Sequence, residues 1–465
     1  MIVNKSSIAS LIALLGFASA PASAQTLPDA RLSVPVEVGA NGNEPLIFAS
    51  SDGTLYISAL QYIYRSKDKG ATWQPLVGPL LTGTVLASDS SIWVAPGGRL
   101  YFSFDYPYAG TTAACTSDDQ GDTFACANAA LPGVTDRMWV YAPTQNDAYL
   151  TTNEGLYVTT MAVSHDGGVS YTPFQFGGEP LQPQTGPLLS VPGSSELLQA
   201  VKLDTQSFYV YSESNTPLVP VTETRKSDLA NTNAILSTAL SSDNKLFLVG
   251  EEPNGAGGKQ LVVGYSPDEA RTWTRLPAIP QTTTGSATFS WVAAGKPGHL
   301  GVIYYYTPQS IDPTTTVDAP WAAMWAETFN ALEAVPAWKV FTLEENVHAG
   351  SICAAADCMG NARFAGDFIN ATFDASDNAH LTWMIEDAAD SSTHVRYAQV
   401  AAPSSTPPVP GPVTRAPTPV PVPIITPAPT PISTTADSGR FGGGAFGTSL
   451  VPLLFAALRR RRLGK

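Results

Sequence analysis

Between residues 25 and 400 the apolar positions fall in short runs, not along helical stripes. Thr54-Leu55-Tyr56-Ile57-Ser58, Leu100-Tyr101-Phe102-Ser103-Phe104, Ala148-Tyr149-Leu150-Thr151 and Lys245-Leu246-Phe247-Leu248-Val249 are rich in β-branched or aromatic residues and bounded by Gly, Asp or Asn. Runs of this kind, each closed by a turn-former, predict strands. The 3.6-residue period of an amphipathic helix is nearly absent, with one weak helical candidate over residues 322–334.

One turn signature, S-x-D-x-G-x-T-W, recurs between the runs. Its copies are Ser66, Asp68, Gly70, Thr72 and Trp73; Ser117, Asp119, Gly121, Thr123 and Phe124; Ser164, Asp166, Gly168, Ser170 and Tyr171; and Ser266, Asp268, Thr272 and Trp273, where Ala270 stands in the glycine's place. Ser and Asp side chains cap free backbone N–H groups, Gly supplies a positive φ, and the aromatic packs beneath the hairpin. These residues hold a turn, and the Ala270 copy is expected to be strained or slightly reshaped.

The four copies resemble the Asp-box (bacterial neuraminidase, BNR) repeat of sialidase-like β-propellers. Their serines are 51, 47 and 102 residues apart, which suits one blade of ~40–50 residues per step with one degenerate blade skipped. The resemblance implies an all-β fold: one closed propeller of six to eight four-stranded blades over residues 25–400. A two-domain jelly-roll or immunoglobulin-like arrangement is the alternative. Asp136-Arg137-Met138-Trp139, Gly298-His299-Leu300-Gly301, Gly350-Ser351-Ile352-Cys353, Gly366-Asp367-Phe368 and His380-Leu381-Thr382-Trp383 are similar to a broader group of secreted bacterial sialidase-like propellers.

Composition changes the domain count and narrows the partners. The chain has 465 residues, 44% hydrophobic and 14% charged, with 39 acidic against 25 basic side chains for a net charge of −14. Length alone would suggest two to four domains at ~100–200 residues each, but a repeat fold makes one ring of them. The acidic excess argues against nucleic acid, whose phosphates need clustered Lys and Arg.

Both ends read as addresses. Residues 1–24 carry Lys5, an apolar run from Ile8 to Phe17 and Ala22-Ser23-Ala24, the pattern of a cleaved secretory signal. Residues 401–440 form a Pro/Thr-rich linker. Its segment 403–431 holds 12 prolines, and as polyproline II at ~3.1 Å per residue it makes a stalk on the order of 90 Å. Residues 441–465 follow, with Gly442-Gly443-Gly444, a short apolar segment from Ala445 to Leu458 expected to be helical, and Arg459-Arg460-Arg461-Arg462. This order resembles the glycine-glycine C-terminal sorting signals of Gram-negative bacteria, which a rhomboid-type protease (rhombosortase) cleaves. The resemblance implies transient anchoring in the inner membrane, cleavage near the glycines, and delivery to the cell surface or medium. The alternative is a permanent tail anchor. Removing residues 1–24 and 445–465 takes away six basic and no acidic side chains, leaving 39 against 19, or −20.

An exported core with four cysteines favours disulfides over metal or redox roles. Cys115 and Cys126 flank the second turn symmetrically and are expected to meet across its hairpin, while Cys353 and Cys358 would close a small loop. No metal site is expected: His348, Cys353 and Cys358 lack a fourth ligand. No cofactor-binding motif is present.

A sialidase site, which the resemblance implies, needs three arginines gripping a carboxylate, a Tyr–Glu pair and an Asp acid/base; a guanidinium fork matches a carboxylate bidentately. The family's N-terminal arginine motif has only a loose echo at Arg31. Arg65 and Arg271 belong to the turns, which leaves Arg137, Arg225, Arg363 and Arg99 for a central cluster. Asp136, Arg137, Trp139, Arg363 and Asp367 are the candidate ligand-binding residues, against the plainer reading that each Asp–Arg pair locks neighbouring blades. Tyr304-Tyr305-Tyr306 reads as packing, and His299 and His380 as turn or edge residues. No catalytic residue is assigned. The expectation is an exported propeller that binds a glycan or a surface protein; the alternative is an exo-acting glycoside hydrolase with a divergent catalytic set.

Overall fold

The computed structural model describes residues 30–403, except 41, 61, 77–88, 107–110, 130–134, 155–157, 176–183, 203–205, 213–222, 230–235, 315–317 and 353–363. Residues 1–29, where a signal segment is expected, and residues 404–465, which hold most of the expected stalk and the C-terminal apolar segment, lie outside the described residues, as do Cys353, Cys358 and Arg363.

Strand β1 (Val36–Ala40) is followed by six consecutive four-stranded antiparallel blades. Blade 1 is β2 (Leu46–Ala49), β3 (Leu55–Ala59), β4 (Tyr62–Ser66) and β5 (Gln74–Pro75); blade 2 is β6 (Ser90–Val94), β7 (Leu100–Tyr106), β8 (Thr111–Ser117) and β9 (Ala125–Asn128). Blade 3 is β10 (Thr135–Tyr141), β11 (Ala148–Glu154), β12 (Val158–Ser164) and β13 (Thr172–Gln175); blade 4 is β14 (Gln184–Ser190), β15 (Glu196–Lys202), β16 (Gln206–Ser212) and β17 (Thr224–Lys226). Blade 5 is β18 (Thr238–Leu240), β19 (Leu246–Pro253), β20 (Lys259–Ser266) and β21 (Thr274–Arg275); blade 6 is β22 (Ser286–Ala294), β23 (Leu300–Thr307), β24 (Pro320–Thr328) and β25 (Lys339–Ala349). Blade 7 comprises β26 (Asn370–Phe373), β27 (Ala379–Glu386) and β28 (Thr393–Val400), with β1 as its fourth strand.

The first strand of each blade lies innermost, and β2 packs against β26, so the ring closes as a seven-bladed β-propeller. Letting the N-terminal strand complete the last blade clasps the two chain ends together. Arg31 extends the clasp by donating to the carbonyl of Ala401 and pairing with Glu327 of blade 6. The four strand runs expected from sequence fall in β3, β7, β11 and β19.

Residues 322–334 are not helical, which corrects the expectation for that segment. Pro320–Thr328 is the third strand of blade 6, and every residue from Trp321 to Thr328 is buried. A strand covered on both faces loses the alternation that separates it from a helix in sequence.

Because adjacent strands run in opposite directions, the first-to-second and third-to-fourth connections of every blade gather on one face of the ring. The four signature turns are third-to-fourth connections of blades 1, 2, 3 and 5, so this end is the turn face; the 102-residue step passes over blade 4. All four share one set of hydrogen bonds. The Ser hydroxyl donates to the Asp carboxylate and accepts from the backbone N of the fifth residue. The Asp carboxylate accepts from both the backbone N and the hydroxyl of the seventh. Ala270 keeps these bonds at φ 68°. That turn is therefore not reshaped; it carries the strain of a side chain in the left-handed region.

The ring's channel is closed from within. Trp139 of blade 3, Trp291 of blade 6 and Phe368, just before blade 7, meet with ring centroids 5.4–5.9 Å apart. The inner strands β10, β14 and β22 each carry a bulge. In β22 it places Phe289 at φ 56°, and Glu251 of β19 accepts from the Ser290 backbone, the Ser290 hydroxyl and the Thr288 hydroxyl. Burial pushes the Glu251 carboxyl above its ordinary pKa. In blade 2, Cys115 and Cys126 face each other in register on β8 and β9 and form a disulfide.

Candidate functional site

At the axis on the turn face, the inner strands of blades 1 to 3 end in large aromatics just before their turns. Phe48, Trp93 and Tyr141 follow one another around the mouth of the channel, with ring centroids 4.8 Å and 4.9 Å apart, and Tyr149 lies beside Tyr141 in register on β11. Blade 4 places Ser190 at the matching position and carries the rim on through Val191, Pro192 and Gly193 to Glu196. Together they line a funnel of about 780 Å³, within the ~300–1,000 Å³ of small-molecule sites. Trp139 sits two residues before Tyr141 on β10, about 7 Å deeper at the rise of a strand, and the plug residues Trp139, Trp291 and Phe368 are not among those that line the funnel.

The wall is held before any ligand arrives. Trp93 Nε1 donates to the carbonyl of Ala142 at 3.0 Å, and the Tyr141 hydroxyl shares a 2.7 Å bond with Ser190 while accepting from its backbone N. With their polar tips engaged, Trp93 and Tyr141 turn only ring surface toward the cavity. Phe48 and Trp93 are half-buried; Tyr141 and Tyr149 are 7% and 4% exposed.

Two carboxylates line the funnel, and both are held ionised. Burial alone would raise Asp147, but hydrogen bonds from His165 and Thr144 outweigh it and bring its pKa below the ordinary value. Glu196 is lowered first by its bond from Arg225, with Arg271 adding its charge. A general acid requires the opposite shift.

The structure distributes the residues singled out from sequence. Asp136 and Arg137 open β10 at the end of the ring opposite the turns, and their side chains, like Arg363, lie outside the described residues. Asp367 is buried near that same end, and its backbone N donates to the Glu44 carboxylate at 3.1 Å. Trp139 is 3% exposed, enclosed by the plug with its Nε1 donating to the carbonyl of Thr185. It fills the channel and does not line an open pocket.

Arg99 and Arg225, expected near the axis, are bound at the turns. Arg99 pairs bidentately with Asp118 and donates to the Gly167 carbonyl; Arg225 pairs with Glu196 and Glu223 and donates to the Glu269 carbonyl. Residues 25–400 contain nine arginines. Seven have described side chains (Arg31, Arg65, Arg99, Arg225, Arg271, Arg275 and Arg396), and each is paired with a carboxylate. Only Arg137 and Arg363 stand outside that count, so a three-arginine clamp has to take at least one arginine from an acid it already holds. His348, weighed as a zinc ligand, is committed to Glu386 and the Ser351 carbonyl, and among the described residues no group of three His, Cys, Asp or Glu could hold a metal.

The funnel aromatics were not anticipated from sequence. A signal was present: Phe48, Trp93, Tyr141 and Ser190 are 45, 48 and 49 residues apart, the same period as the turns.

No protein-family model matches the chain, and no curated protein matches its sequence. Among solved structures it is similar to the NanB sialidase of Streptococcus pneumoniae, at 13% identity over 80% of this chain and 70% of that one, TM-score 0.43. It is similar also to a PL25 polysaccharide lyase, an ulvan lyase, at 12% identity over 78% and 95%, TM-score 0.47. A chain of the mitotic checkpoint complex matches at 11% identity over 82% and 98%, TM-score 0.46. The architecture itself rests on the seven sheets.

Proposed function

We propose that the chain is an exported propeller that binds a glycan in the turn-face funnel and does not hydrolyse it. The observation that carries this reading is the fixed wall of Phe48, Trp93, Tyr141 and Tyr149 around a cavity of ligand size. Aromatic faces at a wet mouth suit the C–H faces of a sugar, whose hydroxyls can bond outward to the rim. Binding without turnover in this funnel is supported by its two carboxylates, both lowered from their ordinary pKa, where a general acid's is raised.

The repeating turns support reading them as Asp-boxes, since residue types and hydrogen bonds recur together. Export is supported by the signal-like residues 1–24 and by the Cys115–Cys126 disulfide, which persists in oxidising compartments. In this reading residues 25–400 are the binding domain, residues 401–440 hold it away from the membrane, and residues 441–465 are removed by a rhomboid-type protease at a Gram-negative cell surface.

The test is a glycan array with the purified mature protein, run beside a panel of fluorogenic glycosides. Binding without release of fluorophore is expected. Turnover of any glycoside, lost on Arg137→Ala or Arg363→Ala, overturns the reading in favour of hydrolysis at the opposite face.

A further inference from the structure

We infer that the funnel selects neutral pyranosides and rejects sugars bearing carboxylate or sulfate, an inference that rests on the funnel being the glycan site. Among the described residues the lining contains no Lys, Arg or His; its charged members are Asp147 and Glu196. The donors attached to them are already engaged: His165 bonds Asp147, and Arg225 and Arg271 both pair with Glu196. An anionic sugar would bring like charge beside two ionised acids and lose its own hydration without gaining a cation. Like-charge juxtaposition of this kind works against binding. The surrounding field has the same sign, since the mature chain carries −20.

The groups that remain open match an uncharged ring. Trp93 offers a ring face, because its N–H is bonded within the wall. Ser51 and Ser195 are exposed on the rim, where hydroxyls exchange hydrogen bonds with hydroxyls at no charge cost. A hexopyranose with its apolar face on Trp93 would direct its edge toward them.

The test titrates the full mature protein with maltotriose, cellotriose and mannotriose, and with tri-galacturonate and sialyllactose as anionic counterparts, following tryptophan fluorescence and calorimetric heat. At least one neutral trisaccharide is expected to bind roughly tenfold or more tightly than either acidic one. Ser195→Trp, an exposed rim substitution that fills the funnel without entering the core, is expected to abolish that binding with the melting temperature unchanged. Tighter binding of an acidic sugar that Ser195→Trp also abolishes overturns the selectivity and leaves the funnel as the glycan site. Binding of any sugar that Ser195→Trp leaves intact, or no binding of any of the five, overturns the glycan reading of the funnel together with the selectivity.

Discussion

Arg225 of blade 4 donates from Nη1 to the carbonyl of Glu269, 2.7 Å away in the turn of blade 5. The same bond joins Arg65 to Gln120, Arg99 to Gly167 and Tyr397 to Lys69. In all four turns the accepting carbonyl belongs to the fourth residue, and the donor comes from the preceding blade. Two consecutive left-handed residues, such as Lys69 and Gly70, turn that carbonyl out of its own hairpin and toward the neighbour. The turn signature thus fastens blades to one another as well as closing each hairpin.

Arg225→Ala is expected to destabilise the protein by about 2–3 kcal/mol, the cost of removing a charged donor and leaving a part-buried carbonyl unsatisfied. Arg225→Lys recovers only part, because an ammonium cannot serve Glu196, Glu223 and the Glu269 carbonyl in one plane. Urea denaturation of the two variants measures both. Equal stability of Arg225→Ala and the parent would remove the latch from the account of blade cohesion.

Glycine in the turn answers to the neighbouring blade more than to φ alone. A Cβ on Gly70 would lie 2.0 Å from the Tyr397 ring, whereas one on Gly53, also left-handed at φ 85°, meets nothing within 4 Å. Gly53→Ala should therefore cost only the left-handed penalty of roughly 1–2 kcal/mol. Gly70→Ala adds overpacking and should lose about 2–4 kcal/mol in all. Matched thermal melts compare the pair; similar losses at the two sites would show that the Tyr397 contact yields freely.

The turns were legible because their hydrogen bonds close within eight residues, and so was the Cys115–Cys126 pair, which brackets one of them. Blade 6 was harder: β24 is apolar on both faces and reads as easily as helix. The funnel was least legible, since Phe48, Trp93 and Tyr141 become neighbours only when three inner strands end together at the axis. Arg99 and Arg225 were misplaced for a related reason. Sequence gives their charge, but the blade's register decides which end of the ring receives it.

The turn aspartates set the acid limit of stability. Hydrogen bonds from Ser170 bring Asp166 down to about 2, and in Asp374 bonds from His380 and Asn378 outweigh burial to hold it at about 2, against an ordinary 3.8. Their folded values are depressed, so their contribution is present above about pH 4 and is lost as pH falls toward 2. Glu251 has the opposite sign. Its raised carboxyl contributes most below 4.5 and loses that contribution as pH rises through its folded value. Denaturation across pH 2–8 should show Asp374→Asn flattening the acid limb. Glu251→Gln, which keeps an acceptor for Ser290, should gain stability at pH 7 relative to pH 4; a gain of the same size at both would refute the burial argument.

Trp139 and Trp93 lie on the same channel but at different depths, and their substitutions should separate folding from binding. Trp139 packs on Trp291 and Phe368 with no face left open. Truncation to Ala leaves a cavity at the axis and should cost about 3–5 kcal/mol, while Trp139→Phe keeps part of the plug and loses less. Glycan affinity of Trp139→Phe, measured well below its melting temperature, should match the parent. Trp93→Ala removes the centre of the funnel wall and should weaken binding by about 30-fold, the ~2 kcal/mol of a binding hot spot. The calorimetric titration that measures affinity in both variants decides the assignment. If Trp139→Phe weakens binding as much as Trp93→Ala, the plug belongs to the site and the division of folding from binding between the two tryptophans fails.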